Sequence, residues 1–181
     1  LDQLESGARV ELDEAKEDPL DFVLWGAMGN TASIGLGLAL AQPQRRVLII
    51  TGDGDMTMGL GTLAAIGTQR PANLAIVVLD NERHGETGMQ HGHTAYQLDL
   101  AGVARNCGFA TTLLVRDQTG LVDALPIILE APGPIAAITK IKAENLPRVL
   151  PPRDGAFLKD RFRNSLLCEE IAQSKRESCL E

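Results

Sequence analysis

The sequence predicts an α/β protein, a parallel sheet with helices on both faces. Two apolar runs and the stretch between them predict it. RVLIIT (46–51) and NLAIVVLD (73–80) are rich in β-branched residues and lack polar alternation. That is the pattern of strands buried on both faces. Between them, MGLGTLAAIGTQ (58–69) reads as a helix ending near Gly67, with Pro71 as punctuation. Strand, helix and strand within about 35 residues make a βαβ unit, and chains that repeat this alternation build parallel sheets between helix layers.

The other elements follow in order. Residues 1–19 are acidic and form a solvated lead-in. DFVLW (21–25) is a short apolar run before Gly26 and reads as a buried strand. GAMGNTASIGLGLALAQ follows, and its small and apolar residues predict a buried helix over about 31–41, capped by Asn30 or Thr31 and stopped before Pro43. Gly35 and Gly37 each weaken that helix by about 1 kcal/mol relative to alanine, so close packing against another backbone is expected there. Residues 81–94 form a polar, glycine-rich loop that carries all three histidines. LDLAGVARNCG (98–108) is an amphipathic helix closed by Gly108, and TTLLV is a strand. TGLVDALPIILEAPG is a helix kinked or split by Pro126, and PIAAITKIK (134–142) is the last strand. The domain therefore spans 20–145, followed by a Pro-rich and charged C-terminal tail at 146–181.

Composition excludes several classes. The chain has 181 residues, 44% of them hydrophobic and only 3% aromatic, so the core is built from Leu, Ile, Val and Ala. The formal net charge is −7, from 24 acidic and 17 basic residues, which argues against a nucleic-acid surface. No apolar stretch reaches the roughly 18–20 residues that span a bilayer, and no signal segment opens the chain. The three cysteines lack metal or CxxC spacing and read as free thiols in a cytoplasmic protein. The chain begins at Leu1 and not at Met, which leaves room for a preceding segment.

Ligands of parallel α/β sheets bind outside the carboxyl ends of the strands. Two polar clusters fall there: Gly52-Asp53-Gly54 after the first long run and Asp80-Asn81 after the second. Asp53 offers an anionic oxygen, and its flanking glycines let a phosphate approach the backbone N–H groups at the start of the following helix. Asn81 offers an amide carbonyl, and the loop after it offers backbone carbonyls. These are the hard oxygen ligands that magnesium or calcium takes. With so few protein ligands, two diphosphate oxygens and water would complete an octahedron. Either cluster alone is an ordinary turn, and the combination at this spacing carries the reading.

The combined motif resembles the diphosphate-binding domain of thiamine diphosphate enzymes, whose signature is GDG, a helix and a strand, then Asn-Asn or a close variant. The resemblance implies their Rossmann-like thiamine diphosphate-binding fold over about 20–145. It implies a magnesium ion held by the side chains of Asp53 and Asn81 and by the main-chain carbonyl of Arg83. It further implies cofactor contacts from Gly52, Gly54, Asp55, Met56, Gly85 and Glu86. The segment Gly26-Ala27-Met28-Gly29 resembles the start of the family's aminopyrimidine pocket, where a bulky apolar residue, here Met28, holds the cofactor bent. GAMGNTASIGLGLALAQP, the GDG region and HGETGMQ together resemble the phosphonopyruvate and sulfopyruvate decarboxylase group. There a TG-x-Q segment follows the asparagine motif, as Thr87-Gly88-Met89-Gln90 does here. Glu82-Arg83-His84 departs from that group's usual sequence, so the loop facing substrate differs.

What the resemblance implies about function is a thiamine diphosphate- and magnesium-dependent lyase that decarboxylates a small 2-oxo acid. An acetolactate synthase-like carboligase and a non-catalytic scaffold subunit are the alternatives. A plain dinucleotide-binding module would want GxGxxG where this chain has Gly26-Ala27-Met28-Gly29. In the family, the glutamate that activates the cofactor comes from a separate pyrimidine domain about as large as this chain. The chain is accordingly expected to be half of an enzyme, a β subunit or a piece of a longer polypeptide, in a hetero- or homo-oligomer. Alone it is expected to bind the cofactor weakly. Among the loop histidines, His84 is the first candidate for catalytic proton transfer. Arg83 is a candidate partner for an acidic substrate tail.

Overall fold

A computed structural model describes residues 18–24, 26–144 and 152–177. These fall into two compact units, one of residues 26–144 and the other of residues 18–24 with 152–177. Most of the acidic lead-in, Trp25, most of the Pro-rich stretch after Glu144 and the last four residues lie outside the described residues.

In the larger unit, helix α1 (Thr31–Ala41) leads to strand β1 (Val47–Gly52), helices α2 (Asp53–Met58) and α3 (Thr62–Gln69), and strand β2 (Leu74–Asp80). A small hairpin follows, β3 (Arg83–His84) antiparallel to β4 (Gln90–His91). Helix α4 (Leu100–Asn106), strand β5 (Thr111–Val115), helix α5 (Gln118–Glu130) and strand β6 (Ile135–Lys140) complete it. The main sheet has the order β1-β2-β6-β5, with every neighbouring pair parallel. Helices α1, α3 and α4 cover one face around Ile49, Leu63, Ile66, Ile76 and Ile138. On the opposite face Ala124 and Ile128 of α5 pack on Ala75, Val115, Ile135 and Ala137. Burying each large aliphatic side chain is worth roughly 1.5–3 kcal/mol, and the two layers account for the α/β fold read from the sequence.

The strands expected to be buried on both faces divide by position. β2 and β6 are central and buried along most of their length. β1 is an edge strand: Val47, Ile49 and Thr51 point inward, while Leu48 and Ile50 are 41% and 60% exposed. Helix α5 packs on β2, β5 and β6, so within this unit the second face of β1 stays uncovered. Helix α1 is likewise buried on one side only. Ala32, Gly35 and Ala39 face the core, and Ile34 and Leu40 are exposed. A Cβ on Gly35 would lie 2.2 Å from Cδ1 of Ile49, so this glycine lets the helix sit directly on β1. Gly37 faces open space, and the close packing expected of it is not found.

The helix expected over 58–69 is two helices broken at Gly59–Gly61, and the first starts at Asp53 itself. Gly59 lies at that break, where a Cβ would lie 2.1 Å from the carbonyl oxygen of Gly29, so the two backbones meet closely there. Pro126 splits nothing: α5 runs through it, opened by Asp117, whose side chain accepts the N–H of Gly120 at 2.7 Å. Arg46 holds the other end of α5 through the carbonyls of Ala131 and Ile128. Asp99 caps α4 in the same way as Asp117 caps α5, accepting from Gly102 at 3.0 Å.

The smaller unit is built on helix α6 (Gly155–Glu177), where Oδ1 of Asp154 accepts the N–H groups of Ala156 and Phe157 at 2.9 and 3.1 Å. The strand expected at 21–25 is not formed over its described residues, 21–24. Residues 21–24 pair with no ladder, and Asp21, Phe22 and Val23 are exposed. Phe22 packs instead against the ring of Phe162, centroids 5.1 Å apart, and Arg161 donates to the carbonyl of Asp21 at 2.9 Å.

Candidate functional site

The register that pairs Gly52 with Leu79 brings the carboxyl ends of β1 and β2 side by side. Asp53 follows one and Asp80-Asn81 closes the other. The loop after β2 is shaped by two consecutive side chain-to-backbone bonds. Asp80 Oδ1 accepts the N–H of Glu82 at 3.1 Å, and Asn81 Oδ1 accepts the N–H of Arg83 at 2.9 Å. Such Asx turns curl a chain within two residues, and Glu82 takes a φ of +60° to complete the bend. The hairpin then carries the loop back, with Gly92 donating to the carbonyl of Glu82 at 2.9 Å.

Asp53 is 3% exposed, and no cation among the described residues pairs with it. Its burial raises the carboxyl pKa above the ordinary value. Thr94 offsets part of that rise, the nearby Asp80 adds to it, and the backbone N–H groups of Asp53 and Gly54 counter it. A buried carboxylate without a positive partner is costly, and a divalent cation would supply that partner. Asn81 keeps a second carbonyl lone pair beyond the one used by Arg83. No cluster of three or more His, Cys, Asp or Glu among the described residues makes a metal site by itself. A cation here therefore draws on the amide and on carbonyls, as the sequence reading requires, and the donor set fits magnesium.

Asp80 is satisfied differently. It is 2% exposed and its Oδ2 lies 2.8 Å from the ammonium of Lys140, which also contacts Glu82 Oε1 at 2.6 Å. Burial pulls the Lys140 pKa down, but the bonds from Asp80 and Glu82 outweigh it and hold the ammonium above its ordinary value.

The turn at 26–30 packs on this centre from α2. The N–H of Gly29 donates to Asp55 Oδ1 at 2.5 Å, and the hydroxyl of Thr51 donates to Asp55 Oδ2. Asp55 therefore contributes its side chain as a structural tie, beyond the cofactor contact expected of it. Gly26 and Gly29 take φ of +62° and +84°, and Ala27 between them is half-buried. Met28 is 53% exposed at the tip, available to a ligand, whereas Met56 is buried in the core. Gly52 caps α2 and the helix opens at Asp53-Gly54, so the backbone N–H groups expected to face an anion sit directly after β1.

His84 lies against the Gly-Asp-Gly turn, where a Cβ on Gly54 would be 3.1 Å from His84 Nδ1. Its ring meets His93 edge-on at 6.2 Å, while His91 pairs with Tyr96 at 5.8 Å. His84 is thus the histidine whose ring lies against Gly54. Gly85 and Glu86 lie in a short 3-10 turn, with Glu86 exposed. Nη1 of Arg83 is buried without a hydrogen-bond partner. Thr94 and Lys140 were not picked out by the sequence reading. Thr94 is an ordinary residue of a polar loop, and Lys140 merely ends a strand.

Residues 12–137 match the family described as thiamine pyrophosphate enzyme, C-terminal TPP binding domain. The chain belongs to that family. It is 37% identical over 152 residues to the sulfopyruvate decarboxylase subunit beta of Methanothermobacter thermautotrophicus, covering 84% of this chain and 78% of that protein. It is 38% identical over 147 residues to the phosphonopyruvate decarboxylase of Streptomyces viridochromogenes, covering 78% of this chain and only 36% of that protein. Among solved structures, the thiamine diphosphate-dependent 4-hydroxybenzoylformate decarboxylase of Rhodococcus jostii superposes with a TM-score of 0.55 at 21% identity, over 64% of this chain and 23% of that one. That likeness bears on the fold alone. As a member of this family the chain is a thiamine pyrophosphate-binding domain, and these two sequence relatives are named as decarboxylases. No helix among the described residues is long and apolar enough to cross a membrane.

Proposed function

We propose that this chain is the diphosphate-binding subunit or half of a thiamine diphosphate- and magnesium-dependent decarboxylase acting on a small 2-oxo acid. The observation that carries the reading is the buried Asp53 beside Asn81 at adjacent carboxyl ends of β1 and β2, with no cation among the described residues to neutralise it. Asp53, Asn81 and the carbonyl of Arg83 hold the magnesium ion. Gly52, Gly54, Asp55, Met56, Gly85 and Glu86 border the diphosphate, and Gly26, Ala27 and Met28 border the rings. The bound cofactor supplies the electron sink that lets carbon dioxide leave. The chain's own residues bind it and orient it.

His84, whose ring lies against Gly54, is assigned as the proton carrier of the reaction. The buried, unpartnered Nη1 of Arg83 favours a substrate with a second anionic group, because an anion would complete its hydrogen bonding. Two relatives are named for sulfopyruvate and phosphonopyruvate decarboxylation, and both of those substrates are acids of that kind. The partner is a chain or domain carrying the pyrimidine half and its glutamate, as the name "subunit beta" of the relative suggests. A reducing, cytoplasmic setting suits the free thiols of Cys107 and Cys168.

The test is calorimetric titration of thiamine diphosphate with magnesium into the chain, alone and with its co-purifying partner, with Asp53→Ala as control. Binding that requires magnesium and Asp53 and tightens with the partner supports the reading. A screen of 2-oxo acids, with product analysis, then separates a decarboxylase from a carboligase. No binding in any state would overturn it.

A further inference from the structure

Thr94 stands where the loop returns to the site. It lies in the 3-10 turn His93–Ala95 after β4 and is 8% exposed. Its Oγ1 is 2.9 Å from Asp53 Oδ2 and 2.8 Å from Asp80 Oδ1. One hydroxyl thus joins the residue that follows β1 to the last residue of β2. Two residues earlier, Gly92 passes so close that a Cβ there would lie 3.0 Å from Asp53 Oδ2.

The hydroxyl has a single proton for two carboxylate oxygens. Asp80 already has the N–H of Glu82 on one oxygen and the Lys140 ammonium on the other. Among the described residues, Thr94 is the side-chain donor to Asp53. The proton therefore matters most to Asp53, where it fixes Oδ2 and the rotation of the whole carboxylate. The same contact sets how far Asp53 lies from Asp80, and so from Asn81 one residue beyond.

We propose that Thr94 is the positioning residue of the cation site: its hydroxyl holds Oδ2 of Asp53, fixes the orientation in which the carboxylate meets the divalent cation, and sets the spacing of the Asp53 and Asn81 ligands. The inference rests on the reading of those two residues as magnesium ligands. Outer hydrogen bonds of this kind orient the ligands that touch a metal, and losing one lowers metal affinity roughly 10–100-fold. The turn that brings Thr94 in is the far end of the His-rich loop.

The experiment uses manganese as the probe, counted by the electron paramagnetic resonance signal of free Mn²⁺. The protein is the full chain with its pyrimidine-domain partner, with and without thiamine diphosphate. Thr94→Val is expected to weaken Mn²⁺ binding about tenfold or more, and Thr94→Ser to stay within about threefold of the parent. Thermal unfolding of each variant confirms that it is folded, and Thr94→Ala carries the comparison if the buried valine does not fold. Asp53→Asn separates the two readings. If the parent binds no Mn²⁺, or Asp53→Asn binds as the parent does, the magnesium reading fails and this inference fails with it. If Asp53→Asn loses binding while Thr94→Val keeps it, only the positioning role is overturned. Equal losses in Thr94→Ser and Thr94→Val would assign the effect to packing and overturn it too.

Discussion

Asp55 holds the backbone N–H of Gly29 at 2.5 Å, so the turn that presents Met28 is fastened to the helix that opens at the Gly-Asp-Gly sequence. The other carboxylate oxygen takes the hydroxyl of Thr51 from β1. One side chain thereby links strand, helix and turn. Removing it leaves a part-buried N–H and a buried hydroxyl without their acceptor, a loss of about 1–3 kcal/mol for such groups. Asp55→Ala is expected to unfold at lower denaturant concentration and to lose affinity for thiamine diphosphate more than for Mn²⁺ alone. Parallel calorimetry and Mn²⁺ titration check this. Equal losses of both ligands would mean that Asp55 supports the cation site directly and does not act through the Met28 turn.

The same turn is held from its other side by the absence of a side chain. A Cβ on Gly59 would lie 2.1 Å from the Gly29 carbonyl oxygen, a backbone atom with little room to move. Gly59→Ala is expected to destabilise by about 1–3 kcal/mol, as overpacking does, and to weaken cofactor binding through the displaced turn. Gly61, two residues on, meets nothing within 4 Å and already has helical dihedrals. Gly61→Ala is expected to be neutral or to stabilise by up to about 1 kcal/mol. Urea unfolding of the two single variants gives the comparison.

A pH dependence follows from Asp53. Burial, the largest influence on it, raises its pKa in the folded chain. The folded state then binds the proton more tightly than the unfolded chain. Stability is therefore lost as pH rises from the unfolded carboxylate value, about 4, through the raised folded value. A cation binds the ionised form and restores what is lost, through mass action on the folded state. Melting temperatures in a chelator are expected to fall over that range, and added magnesium is expected to raise them increasingly at higher pH. Asp53→Asn should remove both effects. A magnesium-dependent shift that survives the substitution would place the cation elsewhere.

Asp53 and Asn81 were legible in the sequence because glycines and polar residues abruptly end apolar runs there, a local signal. Thr94, Lys140 and the exposed face of β1 were not, because each depends on strand order. Lys140 lies opposite Asp80 only because β6 pairs with β2, and no local pattern states that pairing. Leu48 and Ile50 read as core residues until β1 proves to be an edge strand. DFVLW misled for the same reason. An apolar run of that length becomes a strand only where a partner strand exists, and Phe22 found an aromatic ring instead.

The pairing of Lys140 with Asp80 gives the largest expected stability effect. Asp80 is 2% exposed, and Lys140 is its only cation among the described residues. Lys140→Met would leave the Asp80 charge buried and unpaired, a change that costs about 3–5 kcal/mol in buried pairs. The lower end is expected here, because the Lys140 side chain is 26% exposed and water can approach it. Asp80→Asn combined with Lys140→Met removes both charges and is expected to recover most of the loss, since the amide still accepts from Glu82 and Thr94. A double-mutant cycle by urea unfolding reads the coupling directly. Additive single effects would show that Lys140 contributes through packing of its stem, and that Asp80 is stabilised by its hydrogen bonds to Glu82 and Thr94 instead.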